Sequence, residues 1–418
     1  MDMILKIALR NIGRHKRRTF LSAVTIAAGL IVFILIDSTL TGIDRMSIDN
    51  MITLSSGALK IQTVTYDKEK NTFPLNYGMG EELSKVRAAL ALDKRVLHAT
   101  RRTQFLGQLS NYDETIPVVG TVVDEAADTM VFGLKPYITG SYFGPDNGRE
   151  ILIGRQLAQD LGVGVGDNIT LYALTKYDSR NADQFRIAGL LNTADPTINH
   201  SGVFITYTAA NEFLDLENTV SELDVSTKRN SNLGVFSHDV KEIQATLQHQ
   251  FPSLRVNTFL DLGAGVLELT RAKRVAGIIF MAVILVIAVV GIFNTVFMSV
   301  YERIREIGVL RAHGLKPRDI TFMFVLEGFI TGLFGSALGI MVGSLANMYL
   351  VVTGIPMEKM VGKIATASYG ISGNIYGEWN LPAMGIAFCL GMLVATVAGI
   401  IPARRASKIQ VTQALRFA

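Results

Sequence analysis

Thr19-FLSAVTIAAGLIVFIL-Ile36 is an unbroken apolar run, and its reading decides the fold. It reaches the ~18 residues that a helix needs to cross hydrocarbon, and it holds no charge. Three further runs of this kind follow, at Ala276–Val300, Ile320–Val352 and Leu381–Ile401. They crowd into the C-terminal third. About 230 mostly polar residues therefore separate the first run from the second, enough for an ordinary hydrophobic core. The layout predicts an α-helical membrane protein with four transmembrane helices and a large α+β extracytoplasmic domain inserted between helices 1 and 2. It excludes most soluble enzymes and most channels.

The basic residues orient those spans. The net charge is +4, and the sequence pI of about 9.0 could suggest nucleic acid. The positions argue otherwise. Lys6, Arg10, Arg14, Lys16, Arg17 and Arg18 precede the first span, opposed only by Asp2. Arg303, Arg305, Arg311, Lys316 and Arg318 lie between spans two and three, and Arg404, Arg405, Lys408 and Arg416 follow span four. The loop after span three balances Lys359 and Lys363 against Glu358 and Glu378. Lysine and arginine stay on the cytoplasmic side of short loops, so both termini and the 301–318 loop are expected inside, with no nucleic acid as partner. Arg271, Lys273 and Arg274 flank span two on the outer side; a long translocated domain weakens the rule there. The first apolar run is too long for a cleaved signal peptide and reads as a signal anchor.

The segments are then 1–18, an amphipathic N-terminal helix; 19–44, transmembrane helix 1 and stalk; 45–265, the outer domain; and 266–300, stalk and helix 2. A cytoplasmic loop at 301–319 and helix 3 at 320–352 come next. An outer loop at 353–380, helix 4 at 381–402 and a cytoplasmic tail at 403–418 complete the chain. Within the outer domain Ala58–Thr65 alternates as a strand does. Thr115–Val123, Glu150–Ile153, Asn168–Leu174, Phe185–Leu190 and Val203–Thr206 read as further strands. Glu81–Leu92, Gly154–Leu161 and His238–Phe251 read as helices. The single cysteine, Cys389, falls inside span four, so this domain folds without disulfides.

Catalytic patterns are missing. There is no G-x-x-x-x-G-K-[ST] loop, no H-E-x-x-H and no G-x-S-x-G elbow. Gly162-Val163-Gly164-Val165-Gly166 lacks the following lysine and reads as turns between a helix and a strand. The six histidines make no metal-ligand spacing; His238 and His249 share one surface helix. No cofactor, metal or catalytic residue is expected.

Glu302-Arg303-Ile304-Arg305-Glu306 alternates in charge, and Ile304, Ile307 and Leu310 recur on one helical face. Gly314 ends that helix and Pro317 opens the next. An amphipathic helix at the membrane surface follows, whose charged face is either solvated or a docking face. Span three carries Gly328, Gly332, Gly335, Ser336, Gly339 and Gly343, overlapping small-xxx-small pairs that let helices approach closely. They are expected to pack on span four or span two. Glu327 lies about two turns inside the same span, where an acid costs roughly 2.5 kcal/mol at the centre, so it either finds Arg303 or Arg305 or reaches for the near interface.

The run E-R-x-R-E-I-G-V-L-R-A-x-G resembles the signature of FtsX/MacB/LolC-type permeases of ABC transporters. Pro402-ARRASKIQVTQALR-Phe417 is similar to their C-terminal tail, departing at Val411 where the family has proline. Ala8–Thr19 resembles their amphipathic N-terminal helix, and Ile151-LIGRQLAQDLGVGVGDNITL and Phe185-RIAGLL resemble two outer-domain segments. A lone permease chain with an extended outer domain looks most like the LolC/LolE lipoprotein-releasing type. The resemblance implies a bacterial inner-membrane protein working with separate ABC ATPase subunits and a second permease, identical or homologous. Glu302, Arg303, Arg305, Glu306 and Arg311 would meet the ATPase. The stretches Ser38–Leu54 and Asp261–Arg274 are helix-compatible and would act as rigid stalks. A lipidated cargo would need apolar contacts near the outer leaflet, for which Leu30 and Phe33 of span one and Ile279 and Phe280 of span two are candidates, alongside membrane lipids and a periplasmic partner. Two other readings stay open: a MacB-like exporter with its ATPase encoded separately, and an FtsX-like regulator of a cell-envelope hydrolase that transports nothing.

Overall fold

The structure is a computed structural model and describes residues 7, 10, 13–14, 16–143, 149–230, 232–356 and 374–407. Most of the expected N-terminal helix, residues 357–373 of the expected outer loop and residues 408–418 of the tail lie outside the described residues. The chain divides into two compact units. One is the inserted domain, Met46–Glu268; the other gathers the apolar helices on either side of it.

We number the helices of the apolar unit α1 (Lys16–Met51), α2 (Ala264–Glu302), α3 (Ile304–Ala312), α4 (Pro317–Thr353), α5 (Leu381–Ala398) and α6 (Ile400–Ser407). Among the described residues, three helical stretches are long and apolar enough to cross a membrane: Thr19–Ser56, Pro317–Thr353 and Leu381–Arg405. The remaining expected span lies in α2, whose apolar stretch there is Val275–Gly291. Helix α1 does not stop at Asp37. It continues to Met51, and the Asp37 carboxylate accepts a hydrogen bond from Asn380 Nδ2 at 2.9 Å. The other stalk is not one helix: Phe259–Leu262 ends at Gly263 before α2 begins. A Cβ at Gly263 would stand 2.8 Å from the Phe259 carbonyl oxygen, so close approach of the backbone favours glycine there.

The inserted domain is built on strands β1 (Leu59–Thr63), β2 (Val96–Ser110), β3 (Thr115–Val123), β4 (Ile138–Gly140), β5 (Glu150–Gly154), β6 (Asn168–Leu174), β7 (Arg180–Leu191), β8 (Gly202–Thr206), β9 (Glu222–Thr227) and β10 (Leu254–Thr258). β2 belongs to two lobes. Its first half pairs with β9, giving a sheet in the order β10-β1-β9-β2. Its second half pairs with both β3 and β6, and β3-β8-β5-β7-β6 returns to β2, so that lobe closes into a ring of strands. Closure leaves no free edge in the ring. Phe105 fills it, directly opposite Gly120 in the β2–β3 register. A Cβ at Gly120 would lie 2.0 Å from the Phe105 ring, so this strand glycine marks a ring's place rather than a turn.

One core runs through both lobes. The first-lobe sheet turns Leu59, Ile61, Leu223 and Val225 toward helices Glu82–Leu92 and Leu233–Gln250, which present Val86, Leu90, Phe236, Val240, Ile243 and Leu247. That spacing along the longer helix is the i, i+4, i+7, i+11 stripe of an amphipathic helix. Gly162 (φ +65) and Gly166 (φ +97) occupy left-handed turn positions between helix Arg155–Asp160 and β6. A smaller cluster gathers Leu54, Val131, Phe132 and Leu134.

Candidate coupling site

Helix α2 gives way to α3 at Arg303, whose backbone (φ −108, ψ 12) leaves the helical range for one residue. Its side chain is turned inward. Arg303 Nη1 donates to Glu327 Oε1 at 3.0 Å and approaches Oε2 at 3.4 Å. The two side chains are 4% and 12% exposed, so this is a nearly dry ion pair across the break between two helices. Removing one partner of such a pair costs about 3–5 kcal/mol, because the other is left buried and uncompensated. Glu327 has found Arg303 and not Arg305.

The rest of α3 divides cleanly. Ile304 and Ile307 are buried, and Ile307 packs with Ile320, Met323 and Phe324 of α4 and Ala403 of α6. Glu302, Arg305 and Glu306 are exposed and Arg311 is half-buried. Arg14 reaches Glu306 only at 3.9 Å with both ends in solvent, a contact of small energetic weight. Gly314 (φ +95) closes α3, with Leu315 N–H returning to Leu310 O at 3.2 Å. Pro317 opens α4 while Lys316 N–H donates to Asp319 Oδ2 at 3.1 Å. Of the five charged residues proposed for ATPase contact, Arg303 is therefore the one held inside, and the others remain toward the surface.

The α4 glycines approach two helices. A Cβ at Gly328 would meet Ala395 O at 2.8 Å, and one at Gly332 the Ala395 Cβ at 2.8 Å; both face α5, which is span four. Gly335, Gly339 and Gly343 face α1 instead, at Ala23 O (2.9 Å), Leu30 Cβ (2.9 Å) and Ile34 Cδ1 (2.7 Å). The first pair approaches span four. The expectation of span two fails for the other three, because the glycine face winds round α4 until it points at span one. Ser336 is fully buried among these contacts.

That packing also corrects the acyl-chain set. Leu30 is 6% exposed, wedged between Gly339 of α4 and Gly391 of α5, and so serves the interior of the bundle. Phe33 is half-buried against the same cluster. Ile279 and Phe280 are 59% and 62% exposed. At the outer end, Glu378 N–H donates to Ser38 Oγ at 3.0 Å, Gly377 N–H to Leu350 O at 3.3 Å, and Arg45 pairs with Glu378. These contacts tie residues 377–380 to α1 and α4. Elsewhere, His238, Asp239 and Glu242 come within 4.8 Å of one another on an exposed helix, but Glu242 is already held by Arg95 at 2.7 Å.

Comparison with known proteins places both halves. Residues 278–411 match the family described as FtsX-like permease C-terminal, and residues 19–243 match the MacB-like periplasmic core domain. The ABC transporter permease YtrF of Bacillus subtilis (strain 168) is 29% identical over 272 residues, 58% of this chain and 56% of that protein. The Methanocaldococcus jannaschii ABC transporter permease MJ1507 is 21% identical over 424 residues, covering 100% of this chain and 98% of its own. The lipoprotein-releasing system transmembrane protein LolC of Neisseria meningitidis is 23% identical over 281 residues, 64% of this chain and 65% of that one. The chain thus spans between about half and nearly all of these relatives. With a MacB-like core domain covering more than half of it and an FtsX-like region following, the chain belongs to the FtsX/MacB/LolC superfamily of ABC transporter permeases.

Proposed function

We propose that this permease couples ATP hydrolysis on a separate ABC ATPase to movement of its periplasmic domain, with α2 as a fourth membrane span, both termini cytoplasmic and a second permease alongside. The ATPase docks on the exposed charges at the end of α2 and along α3, namely Glu302, Arg305, Glu306 and the half-buried Arg311. Displacement of α3 reaches α4 through Arg303–Glu327 and the Ile307 cluster. It passes outward along α1 and α2, the helices that adjoin the inserted domain in sequence at its two ends. The observation that carries this reading is the division of α3 into a charged exposed face and a side anchored by a nearly dry ion pair. A solvated surface helix needs no such anchor.

The test is the double charge reversal Glu306→Arg with Arg311→Glu. It should lower ATP hydrolysis by the reconstituted complex while membrane insertion is unchanged. Wild-type hydrolysis and wild-type recovery of the ATPase on the variant would reduce α3 to a solvated face.

For cargo, the LolC likeness favours release of a lipoprotein or another lipidated molecule, and the MacB-like core favours a small-molecule exporter. Burial of Leu30 removes one apolar contact from the first and leaves Ile279 and Phe280. A photo-crosslinking residue at Ile279 should capture lipid or a lipidated protein, and ATP should diminish that adduct. Capture of a non-lipidated small molecule supports the exporter. The same residue at Leu30 should capture α4 or α5 only, and any cargo adduct there would contradict the packing.

A further inference from the structure

The first-lobe sheet has a second face, turned away from its apolar core, and that face is charged and buried. Lys60 on β1, Glu222 and Asp224 on β9, and Arg102 on β2 are 6%, 1%, 0% and 3% exposed. Register aligns them: Lys60 stands opposite Asp224 and Asp224 opposite Thr100, while Gln62, Glu222 and Arg102 form the next row. Lys60 Nζ lies 2.7 Å from Glu222 Oε2 and 3.2 Å from Asp224 Oδ1. Arg102 is held by Asp128, at 2.7 and 2.9 Å from its two oxygens, and its guanidinium sits 3.4 Å from the Phe132 ring centroid.

The hydrogen bonds in this cluster do not close. Asp224 Oδ2, Glu222 Oε1, Gln62 Oε1 and the Thr100 and Tyr66 hydroxyls are buried without a hydrogen-bond partner, and Asp224 Oδ1 has only the 3.2 Å approach of Lys60. The charges do not close either: Lys60 and Arg102 stand against Glu222, Asp224 and Asp128, leaving one negative charge in excess. A single proton cancels the charge fault and eases the hydrogen-bond one. It removes the excess charge, and it turns an acceptor-only carboxylate into a group that can donate. We propose that Asp224, paired with Glu222 around Lys60, is a proton-binding site of the periplasmic domain, and that its occupancy sets how firmly the end of the α1 stalk is held.

The surrounding groups support Asp224 as the proton's seat. Burial pushes its carboxyl up to about 7, against the pull of Lys60. Burial also pushes the Lys60 ammonium down, but Asp224 and Glu222 outweigh it and keep the lysine charged. Tyr66, on the helix following β1, and Tyr207 are held neutral chiefly by burial. Tyr142, close to Asp128, is likewise kept neutral by burial, and Glu125 on the Asp128 helix is raised by burial and by Asp124 and Glu150. None of these competes for a proton around neutrality as directly as Asp224.

The path to the stalk is short. Asp128 belongs to helix Glu125–Val131, which runs straight into Phe132, Gly133 and Leu134. Gly133 N–H donates to Thr53 O at 3.1 Å, and Leu54 is buried with Phe132 and Leu134. Arg229 adds a hydrogen bond to Thr53 Oγ1 at 2.8 Å. Arg102 touches both ends of this path, balancing Asp224 and Glu222 on one side and gripping Asp128 and Phe132 on the other. When Asp224 loses its proton, Arg102 is drawn between two sets of carboxylates and its grip on Asp128 loosens.

The experiment uses the full-length protein in lipid nanodiscs. Infrared difference spectra across about pH 5 to about pH 9 should show a protonated-carboxyl band that disappears with a midpoint near about pH 7. The band should be absent in Asp224→Asn. Glu222→Gln removes the neighbouring negative charge and should move the midpoint to lower pH. It also keeps the test decisive if Asp224→Asn does not fold. Hydrogen exchange, corrected for its intrinsic pH dependence, should show residues 53–57 and 132–134 losing protection above the midpoint in the wild type. In Asp224→Asn they should stay protected. A spectrum with no carboxyl titrating in this range overturns the proposal. So does exchange at the stalk end that ignores pH, or that depends on pH equally in the wild type and Asp224→Asn.

Discussion

The two units of this chain are held together by opposite means. The periplasmic domain is filled by large side chains: Phe105, Phe185, Phe213 and Phe259 are all below 2% exposed, and a glycine such as Gly120 is there to make room for one of them. The helical unit reverses the arrangement. Gly328, Gly332, Gly335, Gly339 and Gly343 are there so that backbone can approach backbone, and large apolar side chains such as Ile278, Phe280 and Phe334 are exposed. Water drives the first kind of packing, because burying apolar surface removes it from water. Lipid removes that drive, and close contact and hydrogen bonding take its place. The same residue type thus signals different things in the two units, and substitutions should separate them.

The largest effect should come from emptying the ring of strands. Phe105→Ala removes a ring that nothing nearby can replace, and should cost the periplasmic domain about 3–5 kcal/mol. Chemical unfolding of the full chain, followed by hydrogen exchange in β2 and β3, would measure it. The helical unit should keep its exchange pattern. Equal loss in both units would mean that they unfold as one, and the contrast would fail.

Adding volume to the helical unit should come next. Gly339→Leu drives a side chain into Ala27 and Leu30, and Gly328→Leu into the Ala395 backbone. Overpacking of this kind costs about 1–3 kcal/mol. Gly385 has open space around its Cβ position, so Gly385→Leu is the control. Unfolding in lipid bicelles should rank Gly339→Leu and Gly328→Leu well below wild type and leave Gly385→Leu unchanged. Equal effects at all three would show that helix propensity, and not close approach, had been measured.

The sequence carried the plan of the molecule more fully than its joints. Runs of apolar residues are local signals, and the helices Lys16–Met51, Ala264–Glu302, Pro317–Thr353 and Leu381–Ala398 lie over the four expected runs. Strands Thr115–Val123 and Asn168–Leu174 stand at the places where short strands were expected. β2, the longest strand, escaped notice. Arg101 and Arg102 interrupt its apolar pattern, and the partner that makes Arg102 tolerable inside, Asp128, lies far along the chain. β9 was missed for the same reason, since Glu222 and Asp224 are buried only because Lys60 faces them. β7 begins five residues before the expected Phe185 because Arg180–Gln184 alternates on a solvent-facing hairpin. At the coupling site the Arg303–Glu327 pair was among the alternatives the composition allowed. The turn of the glycine face toward α1, and with it the burial of Leu30, depends on helix rotation that spacing on α4 alone does not fix.

The smallest effect should appear where the periplasmic chain turns back toward α2. Thr258 caps helix Phe259–Leu262: its hydroxyl accepts from Asp261 N–H at 3.3 Å, and Asp261 Oδ2 accepts from Thr258 N–H at 2.9 Å. Asp261 Oδ2 also takes a hydrogen bond from Gln244 Nε2 at 3.0 Å, which ties the cap to helix Leu233–Gln250. Thr258→Ala should cost about 1 kcal/mol, the ordinary worth of an N-cap. Partial burial pushes the Asp261 carboxyl up, but the hydrogen bonds from Thr258 and Gln244 outweigh it and hold the group below the usual aspartate range. A depressed folded-state value means that this contribution is fully present above the unfolded value, near about pH 4, and fades as pH falls through the folded one. Asp261→Asn should therefore narrow the stability gap to wild type as pH drops from about 6 toward about 3, read by melting of the full chain at each pH. This runs opposite to Asp224, whose raised value makes the domain more stable as pH falls from about 7 toward about 4. A gap at Asp261 that widens on acidification would show that the cap is held by packing against Met51 and Phe259, and not by the charge of its carboxylate.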